Sequence, residues 1–317
     1  MKNNKECAGN FVAKCAFVAI IGRPSVGKST LLNKMCGEKV AIVSSVPQTT
    51  RNAIRGIVNQ EQGQLIFIDT PGRHSSEKKM NKKLMEVSSR ALAESDLVLY
   101  VMDASRAPGV EEEEIVSLIK PLIKKTVIAV NKIDIPASDV NKINDFINDR
   151  LKSISNGDTE SAESGKNDAP VFQISAGTGQ GIDELLNALF AMAPEGEPLY
   201  TDDYYTDQET SFRIAEIIRE QAINRLRQEL PHSLYVDIAD AEFNGEKLWV
   251  RAFIIVERES QKGMVVGKGG EMIKAIRLAA LKDLRRIFDW KIELDLRVKT
   301  GKDWRHNDHI LRRIIDK

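Results

Sequence analysis

The sequence predicts a doubly wound α/β domain with a mostly parallel sheet, followed by a smaller α+β domain. Three observations predict it. Short apolar, β-branched runs alternate with helical patterns over the first two-thirds of the chain. A glycine-rich phosphate-binding pattern sits at the first strand-to-helix turn. The pattern then changes after an acidic stretch at 194–210.

The runs FVAIIG, LIFIDT, LVLYVMD, TVIAVNK and PVFQIS are continuously apolar, as expected of strands buried on both faces of a parallel sheet. Helical stretches fall between them at 28–36, 79–93, 111–119, 140–154 and 182–192. Residues 1–14 read as a loose tail, and the polar segment 155–170 as a surface insertion before the last strand. The first domain is therefore 15–193. Residues 194–210 carry six acidic side chains, no basic ones and two prolines, and form the linker. In 211–317 the reading is a helix (211–228), two strands (234–241, 247–256), a glycine-rich turn, a helix (270–288), a strand (291–299) and a short last helix. A short helix before the glycines would make that order α-β-β-α-α-β.

A chain of 317 residues exceeds what one core usually organises, in keeping with two domains. It is 42% hydrophobic and 29% charged, with no apolar run near bilayer length, which is the composition of a soluble globular protein. The N-terminus lacks the apolar core of a secretory signal. Cys7, Cys15 and Cys36 are odd in number and lack metal-ligand spacing, so reduced cysteines in the cytoplasm are expected. The 46 basic and 46 acidic residues are unevenly spread: 262–317 carries 15 basic against 8 acidic. A basic end suits an acidic partner such as nucleic acid, and equally a solvated face with no partner.

Gly22-Arg23-Pro24-Ser25-Val26-Gly27-Lys28-Ser29 fits G-x-x-x-x-G-K-[ST] and lies directly between the first strand and first helix. Its glycines let successive N–H groups face inward on phosphates, and the helix N-terminus, reaching Thr30, adds partial positive charge. Lys28 is the candidate contact to the β- and γ-phosphates, and Ser29 offers a hard oxygen to Mg²⁺. Asp69-Thr70-Pro71-Gly72 ends the strand LIFI. There Asp69 can orient a Mg²⁺-bound water, and Gly72 can offer its N–H to the γ-phosphate. Asn131-Lys132-Ile133-Asp134 names the base. The Asp134 carboxylate accepts two hydrogen bonds, matching guanine N1–H and its exocyclic amine; adenine has an acceptor at that ring nitrogen and no amine. Lys132 can lay its stem over the base, Asn131 can brace the loop, and Ser175-Ala176 can close the site with a backbone N–H to guanine O6. Between the first two anchors, Pro-Gln-Thr-Thr-Arg at 47–51 lies in a stretch poor in strand or helix pattern. It looks like a mobile switch in which Thr50, in preference to Thr49, completes Mg²⁺ coordination. The candidate catalytic set is Lys28, Thr50 and Gly72; the metal set is Ser29, Thr50 and, through water, Asp69.

These elements in this order resemble the translation-factor-related GTPases. The second half, with RIAEIIRE, LPHSLYVDI, VERESQKGMVVGKGGEMIKAI and LDLRVKTGKDW, narrows the resemblance to the Era family, bacterial GTPases of small ribosomal subunit assembly. The resemblance implies a Ras-like G domain followed by a type II KH domain, and GTP hydrolysis coupled to binding near the 3′ end of 16S rRNA and to the 30S subunit. It also implies peripheral attachment at the inner face of the membrane, for which the sequence shows no anchor; the chain is taken as a monomer. Two positions depart from the pattern. Ser25 stands where the family commonly has asparagine, and Arg73, followed by His74, stands where many GTPases have a water-orienting glutamine. A permanently cationic arginine cannot accept a proton, so slow intrinsic turnover is expected, with Arg73 read as a solvated switch residue in preference to a built-in arginine finger.

Gly267-Lys268-Gly269-Gly270 is then the G-x-x-G clamp at which a nucleotide backbone approaches closely, with Lys268 on phosphate. Met264, Val265, Val266 and Ile273 are candidates for the adjoining apolar groove, and Lys262, Lys274 and Arg277 for peripheral phosphate contacts. Two other readings stay open at this stage. One is a tRNA-modification or other ribosome-linked GTPase sharing the same nucleotide domain; the other is an RNA-binding adaptor whose nucleotide domain only binds.

Overall fold

The computed structural model describes residues 13–44, 46, 49–72, 79–151, 169–226 and 230–315. The tail, Arg73 and His74, and most of the 155–170 insertion lie outside them.

The first sheet consists of β1 (Lys14–Ile21), β2 (Ile54–Gln60), β3 (Gly63–Asp69), β4 (Leu97–Asp103), β5 (Thr126–Asn131) and β6 (Val171–Gln173), in the spatial order β2-β3-β1-β4-β5-β6. All pairs are parallel except β2–β3. Among the described residues five α-helices cover it: α1 (Lys28–Cys36), α2 (Lys79–Glu94), α3 (Val110–Ile119), α4 (Val140–Leu151) and α5 (Ile182–Met192). The period-2 alternation of a strand explains the two cores. Ala16, Val18 and Ile20 of β1 face one cluster with Leu31 and Leu32 of α1 and Leu185 and Leu189 of α5, while Ala19 and Ile21 face another with Ile115 of α3 and Ile143 of α4. Three glutamates, Glu111, Glu112 and Glu113, sit in the first turn of α3, where the helix dipole favours them.

Two strands differ from the sequence reading. The stretch before LIFI holds β2, which the sequence reading left without an element. Its run is interrupted by Arg55 and Gly56 and ends in Asn59 and Gln60, because it is an edge strand with one partner. PVFQIS is likewise an edge rather than a strand buried on both faces: Val171 is 38% exposed and only 171–173 pair with β5.

The second sheet has the order β7-β8-β9, from β7 (Leu234–Asn244), β8 (Lys247–Val256) and β9 (Lys291–Thr300). β7 and β8 form an antiparallel hairpin about Gly245-Glu246, and β9 returns parallel to β8. α6 (Thr210–Ile223), α7 (Glu259–Val266) and α8 (Glu271–Ile287) pack on one face, and α9 (Asp308–Ile315) ends the described chain. The order through β9 is α-β-β-α-α-β, including the short helix before the glycines. Ile276, Ala280, Leu281 and Leu284 form the buried stripe of α8 at helical spacing. α6 stops at Ile223, short of the 228 expected from sequence, and β7 runs three residues past 241.

The acidic stretch 194–210 lies against the first sheet's β2 edge. The Ile57 N–H donates to Tyr205 O at 2.9 Å, Gln64 Oε1 accepts from the Leu199 and Tyr200 N–H groups, and Arg55 pairs with Asp207 at 2.8 Å. The two units also share a core: Leu84 and Val87 of α2 pack with Tyr235, Phe253, Ile255, Trp304 and Leu311. No helix among the described residues is long and apolar enough to cross a membrane.

At Gly56 of β2 a Cβ would stand 2.5 Å from Leu32 Cδ1 and 2.7 Å from Cys36 Sγ, so α1 packs where a side chain would otherwise be. Gly56→Val is expected to destabilise the protein by about 1–3 kcal/mol through overpacking. The urea midpoint measures this, and an unchanged midpoint would mean that α1 can lift off the strand freely.

Candidate functional site

The phosphate loop leaves β1 at Gly22 and enters α1 at Lys28. Gly27 sits at φ 101°, ψ 21°, and a Cβ there would stand 2.5 Å from Asn131 Nδ2; no L side chain fits both demands. Asn131, at the end of β5, donates through Nδ2 to Val26 O at 2.8 Å and accepts through Oδ1 from the Ala176 N–H at 2.9 Å. One amide thus binds the phosphate loop to the 175–176 turn. Lys132, at φ 68°, donates to Ser25 O at 2.8 Å and to the buried Asp103 at 2.7 Å. Asp103 lies at the end of β4 and had no place in the motif reading, although an aspartate at a strand's carboxyl end is a usable signal. Burial pushes its carboxyl up, but the Lys132 and Ser105 hydrogen bonds outweigh that and hold it below the ordinary value. Asp134 lies exposed beyond this brace, free to meet a base edge.

Lys28 is buried, and its ammonium donates to Gly22 O and Arg23 O, both at 3.0 Å. Burial lowers its pKa to about 8, against the favourable charges of Asp69 and Glu111. Ser29 Oγ donates to Asp69 Oδ2 at 2.6 Å and lies 3.0 Å from Thr50 Oγ1. Asp69 is fully buried; desolvation raises its pKa, opposed by Lys28 and by the hydroxyl hydrogen bonds, and its Oδ1 has no hydrogen-bond partner. Three hard oxygens around an orphaned carboxylate oxygen suit a Mg²⁺ ion. Thr49, by contrast, is buried with its hydroxyl donating to Val46 O at 2.6 Å.

The other predicted contacts divide by what their side chains already do. Arg23 points away from the pocket into a buried ion pair with Glu112 (2.9 Å) and donates to Ala107 O at 3.2 Å, leaving only its backbone for a nucleotide. Thr70 Oγ1 donates to Ile20 O at 2.7 Å, and Pro71 O accepts from Ser88 Oγ at 3.0 Å, joining this turn to β1 and α2. At Gly72 a Cβ would lie 2.9 Å from the Pro24 backbone, so the Asp69–Gly72 turn packs directly on the loop. A cavity of about 370 Å³ opens here, lined by Pro24, Ser25, Gly27, Lys28, Ser29, Thr30, Thr50, Gly72 and Lys132, and also by Ile42, Val43 and Ser44, which no motif marked.

In the second unit Gly267, Gly269 and Gly270 have φ of 74°, 61° and 81°, making a left-handed turn after α7. A Cβ at Gly269 or Gly270 would meet nothing within 4 Å, and Lys268 is exposed. Gly269 and Gly270 therefore present open backbone, whereas at Gly267 a Cβ would stand 2.7 Å from Met272 Cβ, so that end of the turn packs on α8. Of the groove candidates Met264 is 57% exposed whereas Val265 is fully buried in the core. Lys262 is paired with Glu259, and Arg277 donates to Leu294 O at 2.6 Å.

The family described as "50S ribosome-binding GTPase" matches residues 17–132, and the family described as "KH domain" matches 229–305. The GTPase Era of Treponema denticola is 52% identical over 302 residues, covering 94% of this chain and 98% of the relative. The chain belongs to the Era GTPase family. The GTPase Era of a Borreliella burgdorferi strain is 44% identical over 303 residues, covering 96% of this chain and all of the relative. Among solved structures, an Aquifex aeolicus Era bound to GDP·AlF4⁻ aligns with a TM-score of 0.85 at 33% identity, covering 95% of this chain and 98% of that one. An Era in complex with MgGDPNP and nucleotides 1506–1542 of 16S ribosomal RNA aligns with a TM-score of 0.86 at 34% identity, over 96% and 98%. As an Era-family member the chain is a GTPase with a C-terminal KH domain, and the adaptor and tRNA-linked readings fall.

Two outcomes follow for the nucleotide pocket. A phosphate beside Lys28 favours its charged form, so nucleotide binding takes up a proton above pH 8. Affinity should be flat below about pH 8 and fall by up to tenfold per pH unit above it, until the lysine's pKa in the complex is reached. Titration of a fluorescent GDP across pH 7–10 checks this. Asp134→Asn should lower GTP affinity by on the order of 10²- to 10⁴-fold while admitting xanthosine triphosphate, whose C2 oxygen accepts from the new amide. Competition between the two nucleotides reads it out.

Proposed function

We propose that this Era-family GTPase is a molecular switch that binds 16S rRNA near its 3′ end through its KH domain and acts in 30S subunit assembly. The observation that carries the reading is the alignment, over nearly the whole chain, with an Era whose structure holds MgGDPNP and nucleotides 1506–1542 of 16S rRNA together. Open backbone at Gly269 and Gly270 and the exposed Lys268 support it from this chain's own side, as groups that can meet a nucleotide backbone. The reading takes 15–193 as the GTPase domain, 194–210 as the linker and 211–317 as the KH domain, in a monomer acting in the cytoplasm, with any contact at the inner membrane face peripheral.

In the nucleotide domain the backbone N–H groups between Gly22 and Thr30, Pro24 having none, bind the phosphates, and Lys28 holds positive charge against the bridging and γ-oxygens. Ser29, Thr50 and, through water, Asp69 hold Mg²⁺, which neutralises phosphate charge when bound. Gly72 gives its N–H to the γ-phosphate. Asp134 reads guanine, Lys132 covers it, and Asn131, Ser175 and Ala176 fix the loops around it. Catalysis here is positioning and charge stabilisation, since the sequence has the permanently cationic Arg73 where many GTPases have a water-orienting glutamine. Slow unassisted turnover follows, suited to a timer.

Hydrolysis measured with an RNA oligonucleotide matching the 3′ end of 16S rRNA should rise above the RNA-free rate, and Gly269→Asp should abolish the increase without changing the RNA-free rate. Hydrolysis indifferent to the RNA would remove the coupling and leave a GTPase whose KH domain serves another purpose.

A further inference from the structure

The chain around Thr50 crosses from one domain to the other. Thr50 places its hydroxyl 3.0 Å from Ser29 Oγ, in the nucleotide site. Its two neighbours are held by the KH domain. The Thr49 carbonyl accepts from Arg219 Nη2 of α6 at 2.6 Å, and Arg51 donates through Nη1 to Leu234 O at the start of β7 at 2.8 Å. Asn52 continues the attachment, donating to Ile314 O of α9 at 2.8 Å.

Arg51 is buried, with 3% of its surface exposed, and its guanidinium lies 5.5 Å from the centre of the Trp304 ring. Arg219, also buried, is within electrostatic reach and is itself paired with Glu216 at 2.5 Å. Burial first, then the repulsion of Arg219, lowers the Arg51 pKa to about 9, with Glu216 opposing. Burying two like charges at an interface is costly and is offset only by hydrogen bonds and opposite charge, supplied here by Leu234 O, Thr49 O and Glu216. Here those contacts fix the residues on both sides of Thr50. Thr50 thus lies between a peptide carbonyl and a side chain that are both held from the other domain, which restricts how far its hydroxyl can leave the oxygen set.

We propose that Arg51 is a positioning residue for GTP hydrolysis: anchored in the KH domain, it holds Thr50 at the Mg²⁺ oxygen set, so that the seating of the KH domain tunes how strongly Mg²⁺ tightens the triphosphate. This rests on the reading of Thr50 as a Mg²⁺ ligand. Groups that orient metal ligands from behind typically change metal affinity by roughly 10- to 100-fold when removed.

The test is equilibrium binding of fluorescent GDPNP to the full chain, in titrated Mg²⁺ and in EDTA, with GDP in EDTA as a check of the phosphate loop. Arg51→Met keeps the apolar packing on Trp304 and removes the donors; Arg219→Met removes the Thr49 anchor from the far domain, outside the nucleotide cavity. Each should cut the Mg²⁺-dependent gain in GDPNP affinity by roughly tenfold or more, leaving affinities in EDTA within about twofold of the unaltered chain. If Arg51→Met fails to fold, Arg51→Lys, which keeps the buried charge but loses the guanidinium fork, takes its place, and Arg219→Met tests the neighbouring Thr49 anchor. Affinities that fall equally in Mg²⁺ and EDTA, or that do not change, overturn the proposal. Thr50→Ala separates the layers. If it lowers the Mg²⁺-dependent gain while the arginine variants do not, the positioning role alone fails; if Thr50→Ala itself leaves the gain intact, the metal-ligand reading fails and the proposal with it.

Discussion

A loop that binds phosphate through its N–H groups cannot spend those groups on holding its own shape, so the shape has to be held by the carbonyls. That constraint organises the nucleotide domain. Gly22 and Arg23 O accept from Lys28, Ser25 O from Lys132, Val26 O from Asn131, and Gly27 O from the Leu31 N–H. The donors come from α1 and from the residues ending β5. Turning the carbonyls outward to these partners turns the amides inward, which is the arrangement an anion needs. Most of the motif residues can thus be understood twice, as nucleotide contacts and as the clamps that make the contacts available.

The same site carries charge that burial disfavours. Desolvation lowers Lys28 and raises Asp69, so their mutual attraction does not fully offset the loss of water. A triphosphate set against Lys28 and a divalent cation set against Asp69 each supply the missing opposite charge. The ligand then gains from relieving a penalty already built into the fold, and hydroxyls already converging on Asp69 need little rearrangement to receive the cation.

What the sequence made legible follows the same physics. Strands buried on both faces leave uninterrupted apolar runs, and a phosphate loop must stand at a strand-to-helix turn, so β1, β3, β4, β5 and the three nucleotide motifs could be read directly. Edge strands carry a weaker mark. β2 is broken by Arg55, which pairs with Asp207, and by Gly56, which makes room for Leu32 and Cys36; β6 pairs through three residues only. Arg23 illustrates a different limit. The motif leaves its position unspecified, and its partner Glu112 lies 89 residues on, where only packing reveals it. The anchors of Thr49, Arg51 and Asn52 are 170 to 262 residues distant, so spacing gave no hint that the segment read as a mobile switch is fastened to the other domain.

That fastening bears on how two binding sites in one chain can influence each other. Coupling between equilibrium sites is reciprocal: whatever free energy the KH domain lends to the triphosphate complex through residues 49–52, the triphosphate complex returns to the KH domain's placement. The shared core of Leu84, Val87, Tyr235, Phe253, Ile255, Trp304 and Leu311 makes the second half of the connection, because Leu84 and Val87 belong to α2, whose Ser88 also donates to Pro71 O beside Gly72. The segments bearing Thr50 and Gly72, the two positions assigned to sense a γ-phosphate, therefore both rest on the KH domain, one through buried arginines and the other through an apolar contact. A ligand that displaces either segment therefore works against contacts that reach the second unit. Interfaces packed in this way favour a few discrete arrangements over continuous sliding, which is the property the proposed switch would draw on.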